Sequence, residues 1–190
     1  MILKLKFVSS FLRNLDQSRI DSIITRIEPF LSKKNKIIDI GVGLGLLSSA
    51  IQKKGYYLCP VDVHNISIAK DIKPVLFDGQ ALPFKNNSFD TALLITVLHH
   101  TPNPEKIILE TSRVAKKIII MEDIFESTIH KYLTFIMDSI MNLEFFGHPH
   151  TNKSDRGWRK LFEKNKFTVL KYDRKPYWNF FISAIYVISK

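Results

Sequence analysis

Apolar residues recur at i, i+3, i+4 and i+7 between Arg19 and Leu31, at Ile20, Ile23, Ile24, Ile27, Phe30 and Leu31. That spacing predicts an amphipathic helix, bent or ended at Pro29. The period then changes. Lys36–Ile40 is a short apolar run that stops at Gly41, the pattern of a buried strand. A glycine-rich turn follows, and Leu46–Lys54 predicts a helix ended by Gly55. Further strands are predicted at Tyr57–Val63, Pro74–Phe77, Asp90–Thr96 and Lys117–Met121. A helix over Pro104–Val114 carries proline in its first turn. Ser127–Asn142 predicts a helix with Ile129, Leu133, Ile136, Met137 and Ile140 on one face. A loop at Phe145–Asn152, rich in Gly, His and Pro, precedes a helix over Ser154–Lys164 with Ser154 as its N-cap. Phe167–Tyr172 and Phe180–Ser189 are the last strands.

Strands alternating with helices, several of them unbroken apolar runs, predict an α/β fold with a parallel sheet covered on both faces. The last two strands depart from it. Only Asp173–Asn179 joins them, and a right-handed parallel crossover needs about a dozen residues or more, so this pair must be antiparallel.

At 190 residues the chain has the size of one domain. We expect residues 1–190 to form a single domain, with 1–35 as a helical N-terminal segment and helices and a loop over 124–166. No internal repeat or low-complexity segment interrupts it. A single cysteine, Cys59, excludes a disulfide framework and a multi-cysteine zinc site, and its place inside the second strand suggests a small buried apolar residue. The formal charge is +10, from 28 basic and 18 acidic residues. Lysine supplies 21 of those bases and arginine 7, whereas base-reading proteins rely on arginine's bidentate fork. The surplus sits at the two ends, with a slightly acidic middle. Met1–Leu12 lacks the apolar core of an export signal, and no window holds the roughly 18 apolar residues of a membrane span. The expected location is the cytoplasm.

The informative stretch is Asp39-Ile40-Gly41-Val42-Gly43-Leu44-Gly45, between a strand end and a helix start. Glycines there let the backbone turn tightly and approach a ligand. In an open parallel sheet the ligand crevice lies beyond the carboxyl ends of the strands. A dinucleotide fingerprint requires a third small residue three positions after the second glycine, and Leu46 stands there. A carboxylate just inside the loop is also unfavourable beside a pyrophosphate. It suits a ligand with a cationic amino-acid end.

In these residues the chain resembles the class I S-adenosylmethionine-dependent methyltransferases. More narrowly, it resembles the type 11 methyltransferase domain of quinone-biosynthesis enzymes. The resemblance runs from Ile37 to Asp123. Beyond the glycine loop it takes in Val61-Asp62-Val63, Phe77-Asp78-Gly79, Leu82-Pro83-Phe84, Ser88-Phe89-Asp90 and Val97-Leu98-His99-His100, with Pro104 beyond. It implies a doubly wound, seven-stranded Rossmann-like sheet in the order 3-2-1-4-5-7-6, the last strand antiparallel. It implies S-adenosyl-L-methionine as cofactor, with Asp39 and the loop glycines Gly41, Gly43 and Gly45 at its methionine portion. Asp62 then meets the ribose hydroxyls, and Asp78 with Gly79 the adenine. Thr96 and Val97 line the sulfonium region. Val63-His64-Asn65 departs from the family, which more often has a small polar residue after the acid.

A sulfonium methyl is already activated, so alignment of the acceptor can supply about 7–11 kcal/mol of the barrier. A general base matters only where the acceptor loses a proton. The candidates are His100, next to His99 after the fourth strand, and His148 and His150 flanking Pro149. Glu122 and Asp123, ending the fifth strand, face the same crevice or cap the next element. A metal reading of the His148-Pro149-His150 pair has no partner residues to support it. Strand four ends Thr96-Val97-Leu98-His99 and lacks the Asn/Asp-Pro-Pro-aromatic motif of amino-group methylation. Cys59 is not placed to attack a pyrimidine. A small-molecule acceptor is therefore expected over nucleic acid. Phe125, Tyr132, Phe135, Phe145, Phe146, Tyr177 and Trp178 are available to shape an apolar pocket. The alternatives are an RNA methyltransferase using the basic ends and a non-catalytic cofactor-binding accessory protein.

Overall fold

The computed structural model describes residues 17–127, 151–177 and 181–190. Residues 128–142 of the predicted Ser127–Asn142 helix and almost all of the 145–152 loop, with His148 and His150, lie outside them, as do Trp178 and the N-terminal 16 residues.

The helical periodicity of Ile20, Ile23, Ile24 and Ile27 is realised as α1, residues 17–27, and all four isoleucines are buried. A 3-10 turn over Glu28–Phe30 replaces the last predicted turn, because Pro29 cannot continue the α-helical ladder. Then follow β1 (Ile37–Ile40), α2 (Leu46–Lys53), β2 (Leu58–Asp62), β3 (Val75–Leu76) and β4 (Phe89–Ile95). After these come α3 (Pro104–Val114), β5 (Ala115–Ile124), α4 (Asp155–Lys164), β6 (Thr168–Tyr177) and β7 (Phe181–Ser189).

The seven strands form one sheet in the order β3-β2-β1-β4-β5-β7-β6. β1 through β5 are parallel to their neighbours, and β7 runs antiparallel to both β5 and β6. Strand order and direction are those expected. The core divides by face. One side packs Ile38, Leu94, Ile118 and Ile120 against α3 and α4, with Trp158 stacked on Phe162 and Phe162 edge-on to Tyr186. The other packs Ile37, Leu93, Ile95 and Ile119 against α1 and α2. Among the described residues no helix is long and apolar enough to cross a membrane.

Three elements differ from the sequence reading. β5 is longer than Lys117–Met121 because β4 and β7 pair with it on both sides, and Lys117 is accommodated by donating from Nζ to the Phe30 carbonyl at 2.7 Å. β6 continues through Asp173–Tyr177, read from sequence as connection. This is the sheet's edge, where Pro176 costs no ladder bond and polar side chains face solvent. Asp173 is tied to α1 by Arg26 at 3.0 Å. Cys59 is half-buried rather than buried, because only the two-residue β3 lies outside β2; its partial burial raises the thiol pKa.

Candidate functional site

Crossovers on both faces leave the carboxyl ends of β1, β2 and β4 open between α1 and α3. A cleft of about 1210 Å³ lies there. Its walls are the glycine loop, the Asp62 end of β2, Asp78–Gln80, the Thr96–Val97 tip of β4 and the first turn of α3. α1 contributes Arg19, Ile20 and Ile23.

The loop after β1 requires glycine for two separate reasons. Gly41 has φ +81°, and a Cβ there would run into Val97 Cγ2 on the β4 tip. Gly43 has φ +51°, and nothing lies within 4 Å of where its Cβ would stand. The first glycine lets two walls of the cleft touch. The second leaves backbone open to a ligand.

Asp39 is 3% exposed at the base of this loop. Ser48 Oγ, nine residues on in the first turn of α2, donates to its Oδ2 at 2.6 Å. Burial outweighs that hydrogen bond and, with the Asp62 charge nearby, pushes the Asp39 carboxyl up to about 6. Asp62 is also buried. It accepts from Gly43 N at 2.8 Å and from His64 N at 3.1 Å, so it holds the glycine loop as it ends β2. Asp78 is exposed at the far end of the cleft, where Oδ1 accepts from Gln80 N and Ala81 N. Those two backbone N–H groups, Ala81 first, hold its carboxyl below the usual range. It is thus an Asx turn ahead of Gly79 and a cleft residue at once.

Thr96 occupies the left-handed region, φ +52°, with its N–H donating to Met121 O at 2.7 Å. A β-branched residue there is a genuine outlier, costing about 1–3 kcal/mol, and such strain concentrates at functional sites. Val97 and His100 follow along the cleft wall, both half-buried. His99 does not line the cleft; it is 3% exposed behind the tip. Nor does Glu122 face the crevice as expected. It is fully buried, because the β4 tip folds over the end of β5 and uses its carboxylate as an acceptor. The end of the 145–152 loop reaches this tip, where Thr151 Oγ1 donates to Leu98 O at 3.0 Å.

The structure therefore brings Asp39, Gly41, Gly43, Gly45, Asp62, Asp78, Gly79, Thr96, Val97 and His100 to one cleft. Sequence reasoning missed Arg19. Its signal was the i, i+4 row it shares with Ile23, which put a cation on the apolar side of α1. Arg19 is exposed on the cleft rim and has no ion-pair partner among the described residues. Chemically, the floor offers a buried carboxylate for a cationic amine, a second one for a diol, and open backbone between them.

Residues 38–118 match the sequence model of a family described as a methyltransferase domain. An uncharacterized protein of Methanocaldococcus jannaschii is 37% identical over 84 residues, 44% of this chain and 41% of that one. A ubiquinone biosynthesis O-methyltransferase of Hahella chejuensis is 24% identical over 121 residues, 58% of this chain and 50% of the relative. The chain thus spans half or less of these curated relatives. Among solved structures, magnesium protoporphyrin IX methyltransferase of Synechocystis, determined with bound SAH, superposes with a TM-score of 0.65 at 20% identity. That match covers 97% of this chain and 87% of the other.

Proposed function

We propose, from the premise that residues 38–118 belong to the methyltransferase-domain family, that this protein binds S-adenosylmethionine in the cleft and directs its methyl group to a small-molecule acceptor. The observation that carries the reading is Asp39, a buried carboxylate raised to about 6 beneath a glycine loop whose Gly43 opens to empty space. Ionised Asp39 buried with one hydroxyl donor is under-solvated, and a ligand's ammonium supplies what it lacks. Asp62 stands on the neighbouring β2, two residues beyond Pro60, the register partner of Asp39, where a ribose diol donates to the carboxylate. Asp78 and Gly79 flank the space for a purine.

When bound, the cofactor supplies an electrophilic methyl on a sulfonium. The chain's contribution is placement. Gly41 and Val97 fix the distance between the loop and the β4 tip. The half-buried wall of Thr96, Val97 and His100 keeps water from one side. His100 is the described residue placed to take a proton from an acceptor that must lose one. We extend the proposal to His148 and His150, since Thr151 ties the chain immediately after them to the β4 tip.

Small-molecule methylation is supported by the relatives, which act in ubiquinone biosynthesis or on magnesium protoporphyrin IX by their names. The test is transfer of a labelled methyl from the cofactor into a fractionated cell extract. The expected label appears in small organic molecules. Label in RNA, or no transfer at all, contradicts the reading.

Arg19 enters the same proposal. Its unpaired guanidinium at the cleft rim complements the carboxylate of a zwitterionic amino-acid tail, as Asp39 complements the ammonium. Arg19→Ala is expected to weaken S-adenosylhomocysteine about tenfold, the scale of one charge-assisted hydrogen bond. Binding of methylthioadenosine, which lacks the tail, should not change. Calorimetry with both ligands checks this.

A further inference from the structure

Behind the β4 tip lies a buried carboxylate that the proposed transfer does not use directly. Glu122 Oε1 accepts from Val97 N at 2.9 Å and from Leu98 N at 2.7 Å. Its Oε2 lies 2.6 Å from His99 Nδ1. Glu122 is fully buried and His99 is 3% exposed, so water does not compete for these bonds. Oε1 thus serves two backbone N–H donors, and a carboxylate oxygen only accepts. His99 must then donate from Nδ1, which fixes both its tautomer and the plane of its ring. That ring packs against His100, with centroids 4.0 Å apart, and His100 lines the cleft. Immediately before the two held N–H groups stands Thr96, in the left-handed conformation that a threonine avoids. Across the sheet the residue opposite Glu122 is the buried Ala184, which brings no charge.

We infer that Glu122, acting with His99, is a positioning residue of the cofactor site: its carboxylate holds the strained Thr96–Leu98 tip and, through His99, sets the orientation of His100. The inference rests on the reading that this cleft binds S-adenosylmethionine. Without the carboxylate, the Val97 and Leu98 N–H groups are orphaned in a dry interior and the tip relaxes away from its strained form. The end of the cleft at Asp62 and Asp78 is built by other elements and does not depend on it.

Two substitutions in the full chain test this. Glu122→Leu removes both acceptor oxygens. It should weaken S-adenosylhomocysteine about 30-fold while leaving adenosine, which needs only the Asp62–Asp78 end, with an unchanged Kd. Glu122→Gln keeps one oxygen for the two N–H groups and should bind S-adenosylhomocysteine within about threefold of wild type. Its amide NH₂ now faces His99 Nδ1, so the ring must shift to the Nε2–H tautomer. Nitrogen-15 NMR of labelled histidine reads this directly: Nδ1 protonated in the wild type, unprotonated in Glu122→Gln. Native S-adenosylhomocysteine affinity in Glu122→Leu, or equal loss of both ligands, overturns the inference. So does an unchanged His99 tautomer in Glu122→Gln, which decides the matter if the leucine variant does not fold. Absence of binding by the wild-type protein would instead remove the cofactor reading, leaving the NMR result to judge the Glu122–His99 pair.

Discussion

Asp39→Asn is expected to raise the melting temperature of the ligand-free protein and to weaken S-adenosylhomocysteine binding about a hundredfold. The two effects have one cause. The carboxyl rises from 3.8 to about 6 on folding, through burial first and the Asp62 charge second, against the Ser48 hydrogen bond. A raised acid favours the folded state while protonated. That stability is present below the unfolded pKa and is lost as pH rises through the folded one. Above pH 6 the ionised group costs about 3 kcal/mol, two pKa units at 1.36 kcal/mol each. Asparagine removes the cost and still accepts from Ser48. It also removes the charge that an ammonium needs. In the wild type the same linkage makes affinity level above pH 6 and about tenfold weaker per unit below it, because protonated Asp39 must ionise before pairing. Thermal unfolding and calorimetry from pH 5 to 8 measure both. A destabilised Asp39→Asn that binds normally would remove Asp39 from the site.

Asp62→Ala should lower stability and binding together. Gly43 N and His64 N lose their acceptor, at about 1 kcal/mol for each part-buried hydrogen bond removed. The glycine loop then loses its brace, and the ribose diol its acceptor. S-adenosylhomocysteine should bind at least about a hundredfold more weakly, the sum of one charge-assisted contact and a disordered loop. Asp62→Asn, which keeps an oxygen for one of the two N–H groups, should fall between. The contrast is the diagnostic: both substitutions cost affinity and stability, and Asp62→Ala costs more of each. Urea unfolding alongside calorimetry separates them, and unchanged affinity in Asp62→Ala would contradict the ribose role.

The parts legible in the sequence are those fixed by near neighbours. The apolar run Ile37–Ile40 and its abrupt glycine gave away β1 and the loop after it. The short Asp173–Asn179 spacing forced the last strands antiparallel, whatever the exact end of β6. Asp39, Asp62 and Asp78 were legible as cleft residues because each stands at or within two residues of a strand's carboxyl end, at the same edge of a parallel sheet. The missed features depend on partners far along the chain. Glu122 looked like a crevice acid, since nothing local shows that the β4 tip, 24 residues away at Leu98, folds over it. The left-handed Thr96 stands at the same tip, against the preference of its own side chain. Asp173 joined a strand through an arginine 147 positions earlier. Arg19 read as one more basic residue near a basic end until α1 was seen to form a wall of the cleft.

The proposed occupant of this cleft is an adenosyl amino acid held over Asp39, not a dinucleotide. Calorimetric titration of the protein with S-adenosylhomocysteine and, in parallel, with NAD tests it most directly. One S-adenosylhomocysteine per chain with micromolar affinity, and no heat from NAD, are expected. Saturable NAD binding, or no S-adenosylhomocysteine binding at neutral pH where Asp39 is ionised, would contradict it.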